Sequence, residues 1–159
     1  MTTLSTRQLP RAVLALLTFI ATLALTGCAT APGASFSEFA VLKTATPDQA
    51  SVYVYRRDRI FAVGQSSKVE VDLKPVGVIY NASFLNLTLA PGKHTIGVKP
   101  GGMAKEFALQ IQAQPGKTQF VEFDLNGGPL ANVFFLGSEL LERPQDKALA
   151  DLKALKSAQ

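Results

Sequence analysis

The sequence predicts a mainly β chain: an antiparallel β-sandwich of about seven to eight short strands, followed by a C-terminal α-helix and preceded by a cleavable export signal. Three observations carry that expectation. From Ser51 onward apolar residues recur at every second position, Pro-Gly turns interrupt the chain at intervals of about 8–12 residues, and a helical leucine spacing begins only beyond Pro144. The chain divides accordingly into residues 1–27 as signal, 28–46 as a modified cysteine and tether, and 47–159 as the sandwich domain with its helix.

The signal comes first. Arg7 and Arg11 precede an apolar run from Ala12 to Leu25, and no acidic residue occurs before Glu38. A basic segment followed by a short apolar one is the pattern of a secretory signal. A permanent membrane span needs about 20 consecutive apolar residues. This run is shorter and is interrupted by Thr18 and Thr22, so an uncleaved anchor is the weaker reading. The run closes on Leu25-Thr26-Gly27-Cys28, with small residues before the only cysteine. These four residues resemble the lipobox of bacterial lipoprotein signals. The resemblance implies cleavage before Cys28, a diacylglycerol (palmitate-type) anchor on its sulfur and a further acyl chain on the new amino group. Two or more acyl chains hold a protein stably on a bilayer, whereas one does so only marginally. Ala29 stands where an aspartate would signal inner-membrane retention, so the implied location is the periplasmic face of the outer membrane.

Removing residues 1–27 from the 159 leaves 132, enough for one domain with a modest core. Arg7 and Arg11 leave with the signal, so 16 basic residues become 14 against 12 acidic ones, and the net charge falls from +4 to near +2. That balance argues only weakly for a nucleic-acid or anionic-lipid partner. With Cys28 acylated, no thiol remains for a disulfide or a metal, and the domain stands on packing alone.

After Cys28, Ala29–Ser35 is rich in small residues with Pro32 and Gly33 and reads as a flexible tether. Phe36, Phe39 and Leu42 are spaced to lay apolar groups on the domain. Val52 and Val54 then alternate with Tyr53 and Tyr55; Val69, Val71 and Leu73 alternate with Lys68, Glu70 and Asp72. Val76–Tyr80 follows across a hairpin-like link at Lys74-Pro75, and Leu85, Leu87 and Leu89 point inward up to the Ala90-Pro91-Gly92 turn. Ile96 and Val98 mark the strand His94–Lys99, while Phe107, Leu109 and Ile111 alternate with polar neighbours. After Pro115-Gly116, Val121, Phe123 and Leu125 face inward with Glu122 and Asp124 outward, and a shorter strand is expected over Asn132–Leu136. Leu149, Leu152 and Leu155 share a helical face that packs on the sandwich, with Asp146 as cap and Lys153 and Lys156 near the negative end.

Two stretches, Val69-Glu70-Val71-Asp72-Leu73-Lys74-Pro75-Val76-Gly77 and Leu89-Ala90-Pro91-Gly92-Lys93-His94-Thr95-Ile96, resemble the PEGA-like β-sandwich modules of bacterial envelope proteins. With Ala50–Arg56, the loop Arg57–Ser67, Gly116-Lys117 and the terminal helix, the chain is similar to a family of small bacterial lipoproteins catalogued as a domain of unknown function. That resemblance implies fold and location and supplies no catalytic residues. The family's hairpin commonly reads Asp-Gly-Lys; here Leu73 replaces the glycine, which points to a looser turn through Pro75 in place of a tight type I′ turn.

No constellation for catalysis stands out. His94 is the only histidine, too few for a zinc site or a nucleophilic triad. The pairs Glu70/Asp72 and Glu122/Asp124 have a spacing, about 6.5–7 Å along one strand face, that suits a glycosidase, yet alternation with inward hydrophobics reads more simply as solvated faces. The sequons at Asn81 and Asn86 and the Gly101-Gly102 pair lack the context that gives such motifs meaning. The densest charge cluster is Arg56, Arg57 and Arg59, opening a loop that continues through Ile60 and Phe61. Arginine forks suit carboxylate or phosphate and the apolar tip suits a surface, so Arg56, Arg57, Arg59 and Phe61 are the candidate partner or ligand contact. The simpler alternative tucks the apolar tip inward and leaves the arginines as solvated rim charges.

The leading expectation is a non-enzymatic, membrane-anchored module that binds or braces another envelope protein, held by the lipid bilayer through Cys28, with no cofactor, no metal and no nucleic acid. A binding module for a small anionic or amphiphilic ligand is the alternative, and an envelope hydrolase ranks third.

Overall fold

The computed structural model describes residues 31–36, 46–60, 63–101, 106–125 and 138–159. Leu25, Thr26, Gly27 and Cys28 with the rest of the expected export signal, Phe39, Leu42 and Phe61, and the strand expected over Asn132–Leu136 lie outside the described residues.

The chain is mainly β. Among the described residues the order is β1 (Ala50–Arg56), β2 (Ser67–Val71), β3 (Lys74–Ile79), β4 (Ser83–Leu89), β5 (Gly92–Pro100), β6 (Phe107–Ala113), β7 (Thr118–Leu125), β8 (Ser138–Glu142), α1 (Gln145–Leu152) and β9 (Lys156–Ser157). They build a five-stranded sheet, β8-β7-β1-β4-β9, facing a four-stranded one, β3-β2-β5-β6. β8 and β9 join the strands expected from alternation; Ser138–Glu142 has no period-two apolar pattern to announce it. Pairing is antiparallel except at β1–β7 and β4–β9, which are parallel. Alternation reveals the face of a residue and not the direction of its strand. Here the chain reverses at every connection from β1 to β7, so β1, β3, β5 and β7 run the same way and β7 returns parallel to β1.

The same reversals sort the connections. The β2–β3, β4–β5 and β6–β7 turns lie at one end of the sandwich, hereafter the turn end, and the β1–β2 loop lies at the opposite, loop end.

Between the sheets, Val52, Val54, Val69, Val71, Ile79, Leu85, Leu87, Ile96, Val98, Ile111, Val121 and Phe123 form one buried cluster, each side chain contributing on the order of 1.5–3 kcal/mol. Not all of the alternate residues of the five-stranded sheet face water. Tyr53, Tyr55, Phe84 and Phe120 form a second layer on its outer side, covered by Phe36 and by Ala148, Leu152 and Leu155 from the helical region. Tyr53 stacks on Phe120 at 5.6 Å and 20°, and Phe36 meets Phe84 edge-on at 5.5 Å. The helix packs across the sandwich, as its leucine stripe predicted.

Four local expectations need correction. Residues 31–35, expected within a flexible tether, are docked together with Phe36, expected to lie on the domain: Gly33 N–H donates to Ser157 O, Ser157 N–H to Ala34 O, and Phe36 N–H to Leu155 O, at 2.8–3.0 Å. Ser35 bridges Lys156. Small residues suit this closeness, because a Cβ on Gly33 would lie 2.5 Å from Gln159 O and 2.6 Å from Ser157 O.

The β2–β3 connection is a tight two-residue turn, not a looser one through Pro75. Asp72 and Leu73 both have positive φ, 51° and 66°, as a type I′ hairpin requires. Leu73, expected inward, is 82 % exposed at its tip. Asp72 holds this conformation without glycine: its N–H donates to Thr95 O at 2.9 Å, and its Oδ1 accepts from Thr95 N–H at 2.9 Å. Its Oδ2 lies 2.7 Å from His94 Nδ1, while His94 Nε2 lies 2.9 Å from Ala90 O. Both ring nitrogens thus face acceptors, and a neutral ring can donate from only one, so the site favours imidazolium. The hydrogen bond to Asp72 raises the His94 pKa above its ordinary value. The Thr95 N–H and then His94 lower that of Asp72.

Asp146 lies inside the first turn of α1, where it complements the dipole, and Pro144 occupies the cap position without a side-chain bond. The helix ends at Leu152, so Lys153 is its C-cap, Leu155 lies beyond it and Lys156 belongs to β9. Finally, Glu122 and Asp124 are on the outward face as expected but are buried.

Candidate functional site

The buried carboxylates and the arginine cluster form a single site at the loop end. Alternation along β7 places Phe120, Glu122 and Asp124 on the outer face, so the aromatic layer gives way to two acids as the strand approaches its end. Three arginines close over them. Arg57 Nε donates to Glu122 Oε1 and Arg143 Nε to Glu122 Oε2, the latter at 2.5 Å. Arg57 Nη2 and Arg59 Nη2 share Asp124 Oδ1 at 3.1 and 3.0 Å, and Arg143 Nη2 reaches Asp124 Oδ2 at 3.5 Å. All four carboxylate oxygens are therefore engaged, and each has an arginine as donor.

The guanidiniums are held between protein and solvent, with side-chain exposures of 32, 33 and 27 % for Arg57, Arg59 and Arg143. Burial works against the charge of Arg57, but Glu122 and Asp124 outweigh it and raise its pKa. The bond to Glu122 likewise raises that of Arg143. Tyr55 lies beneath. Its hydroxyl donates to Asp151 Oδ2 at 3.1 Å, and burial, with Glu122 and Asp151 nearby, pushes its pKa upward.

The sequence-derived residues separate here. Arg57 and Arg59 come together. Arg56 does not join them: it follows Val52 and Val54 on the inner side of β1, is wholly buried and donates from Nη1 to Gln65 O at 2.6 Å. That burial lowers its pKa to about 10. Arg143 was missed, since nothing local in Leu141-Glu142-Arg143-Pro144 ties it to residues some twenty positions earlier. The β7–β8 pairing delivers it, placing Leu141 opposite Glu122.

The loop itself is anchored through Asn81, whose Oδ1 accepts from Arg59 N–H at 2.9 Å and whose Nδ2 donates to Asp58 Oδ1 at 2.5 Å. Beyond that anchor Ile60 is 81 % exposed and Val63 46 % exposed. A shallow cleft of ≈ 260 Å³ lies beside the arginines, lined by Arg57, Asp58, Ala150, Asp151, Ala154 and Leu155. Its two carboxylates make it a poor host for an anion.

The other candidate acids have structural partners. Lys99 Nζ lies 3.1 Å from Glu106 and 3.7 Å from Glu70, and Asp72 is committed to its turn. Among the described residues no group of three or more His, Cys, Asp or Glu side chains could hold a metal ion, and no helix is long and apolar enough to cross a membrane.

No curated protein matches the chain. Residues 46–138 match the model of a family described as a protein of unknown function, DUF2846. That span covers more than half of the chain and takes in β1 to β7, with Arg57, Arg59, Glu122 and Asp124. The chain therefore belongs to the DUF2846 family.

Proposed function

We propose that this protein is an outer-membrane-anchored periplasmic lipoprotein, attached through acylated Cys28, whose PEGA-like sandwich is a non-enzymatic module that contacts another envelope protein at its loop end. One observation carries the choice of surface: Ile60 and Val63 stand exposed next to a guanidinium layer whose geometry Glu122 and Asp124 already fix. Apolar anchors beside oriented arginines are the composition of a protein-binding surface. Pre-set side chains also lose little freedom when a partner arrives.

Enzymatic chemistry receives less support. Glu122 and Asp124, the best-placed acid pair, spend all four oxygens on arginine. A small-ligand module receives less support as well, because the interior between the sheets is filled by side chains and the cleft beside Arg57 carries Asp58 and Asp151.

The surface is tested by placing a photo-crosslinking residue at position 60 in intact cells. A discrete adduct that disappears with Arg59→Glu is expected; adducts forming instead from β6 or β3 positions would move the contact to a sheet edge. Anchoring is tested by labelling with a fatty-acid probe: signal in the wild type and none in Cys28→Ala is expected, and equal labelling of the two refutes the assignment.

A further inference from the structure

The docked N-terminal segment fixes more than a sheet edge. Residues 33–36 run antiparallel to β9, and β9 runs parallel to β4 with Lys156 opposite Ser83 and Ser157 opposite Phe84. Traced backward from Ser35, the segment therefore descends along β4 from the loop end toward the turn end. Gly33 lies so near Gln159 that an added Cβ would be 2.5 Å from its O, and Ala31, two residues further down, is still buried against the domain. Only three residue steps separate Ala31 from Cys28. At roughly 3.3–3.6 Å per residue their reach is about 10 Å, much less than the domain's own width.

A lipidated Cys28 on so short a leash brings the turn end to the bilayer, and that end has the matching chemistry. Leu73 is its most exposed apolar side chain, lifted on a rigid two-residue turn in left-handed backbone. Lys74 flanks it, and Lys93, at the start of β5, and Lys117, on the β6–β7 connection, are exposed at the same end. Asp72, the acid of the hairpin, is engaged by His94 and the Thr95 N–H, and Asp48 is a further exposed acid at that end. An apolar tip ringed by lysines fits the surface of an anionic phospholipid leaflet. The exposed Leu73, in a backbone conformation that a non-glycine residue adopts only under constraint, then has a use that packing does not give it.

We infer that the turn end of the sandwich lies against the membrane, with Leu73 inserted at the interface and Lys74, Lys93 and Lys117 on phospholipid headgroups, so that the loop end with Ile60 faces away. This rests on the lipidation of Cys28 proposed above.

The protein contains no tryptophan, so single reporters are clean. Leu73→Trp and Ile60→Trp, both at exposed positions, are made in the full-length lipoprotein and reconstituted into vesicles of phosphatidylethanolamine and phosphatidylglycerol carrying brominated acyl chains. Mass spectrometry first establishes whether Cys28 is acylated. The reporter at 73 is expected to lose about half or more of its emission, a depth of roughly 5–10 Å being within quenching range, while the reporter at 60 is unchanged. Equal quenching, or none at 73 in a protein shown to be acylated, overturns the orientation and leaves the anchor standing. An unacylated Cys28 overturns both. As a second measurement, the triple variant Lys74→Glu, Lys93→Glu, Lys117→Glu should reduce quenching at 73 while leaving acylation intact; unchanged quenching refutes the role given to the lysines.

Discussion

Replacing Glu122 by glutamine tests whether the arginine layer is built on the buried acids. Glutamine keeps the size of the side chain and removes its charge. One oxygen remains to accept from one arginine, while the amide NH₂ meets the other donor to donor. Each bond between charged groups contributes about 1.5–3 kcal/mol, and breaking a fully buried pair costs about 3–5 kcal/mol. Both arginines here are about one-third exposed or less and retain Asp124, so rehydration recovers part of that loss. The expected destabilisation is about 2–4 kcal/mol. With an m value of about 1–3 kcal/mol per molar urea, the unfolding midpoint, followed by far-UV circular dichroism, drops by about 1–2 M. A change below about 0.5 kcal/mol, the size of an ordinary surface substitution, would mean that the arginines are solvated independently of Glu122. The proposed pre-set contact surface would then lose its basis.

Other consequences are equally open to measurement. The His94 ring, alone of its kind in the sequence, should titrate above its ordinary value by NMR and return toward it in Asp72→Asn. The sign follows: stability from His94 is fully present below its unfolded pKa and fades as pH rises through the raised folded one, whereas the part from Asp72 is present above its unfolded pKa and fades as pH falls through its lowered folded one. Leu73→Gly should stabilise the hairpin by about 0.5–1.5 kcal/mol by relieving the left-handed conformation, read as a higher urea midpoint; a loss would show that Leu73 packs on something. Gly33→Ala forces a Cβ to within 2.5–2.7 Å of the C-terminal residues, so the cost of about 1–3 kcal/mol should appear as faster hydrogen exchange at Gly33, Phe36 and Ser157, with β1 unaffected. Tyr55→Phe removes the bond to Asp151 and should cost about 1 kcal/mol, measured by the same unfolding curve.

Alternation and Pro-Gly turns made most of the sandwich legible, because a strand's period is a local property. What covers a face is not. Glu122 and Asp124 sit on the outward side of β7, as their spacing says, and only the helix, Tyr55 and an arginine from beyond β8 turn that side into an interior. The type I′ turn was misread for a related reason: Leu73 argues locally against it, and the groups that hold Asp72 in place come from His94 and Thr95 on β5. Arg56 was grouped with its neighbours by sequence proximity, although its parity with Val52 and Val54 assigns it to the inside. The docking of residues 31–35 had no local sign, since small residues look alike in a tether and in a close backbone contact.

That docking also sets an order of assembly. Residues 33–36 are synthesised well before the strand that receives them, so a growing chain holds this segment unpaired until Lys156 and Ser157 arrive. Until then the edge of the five-stranded sheet stays open beside β4, available to any extended chain nearby. Closure by residues 33–36 makes synthesis of β9 a condition for losing that stickiness. A product truncated before Leu155 would keep the open edge and leave residues 33–36 undocked, and would be the form that proteases find first.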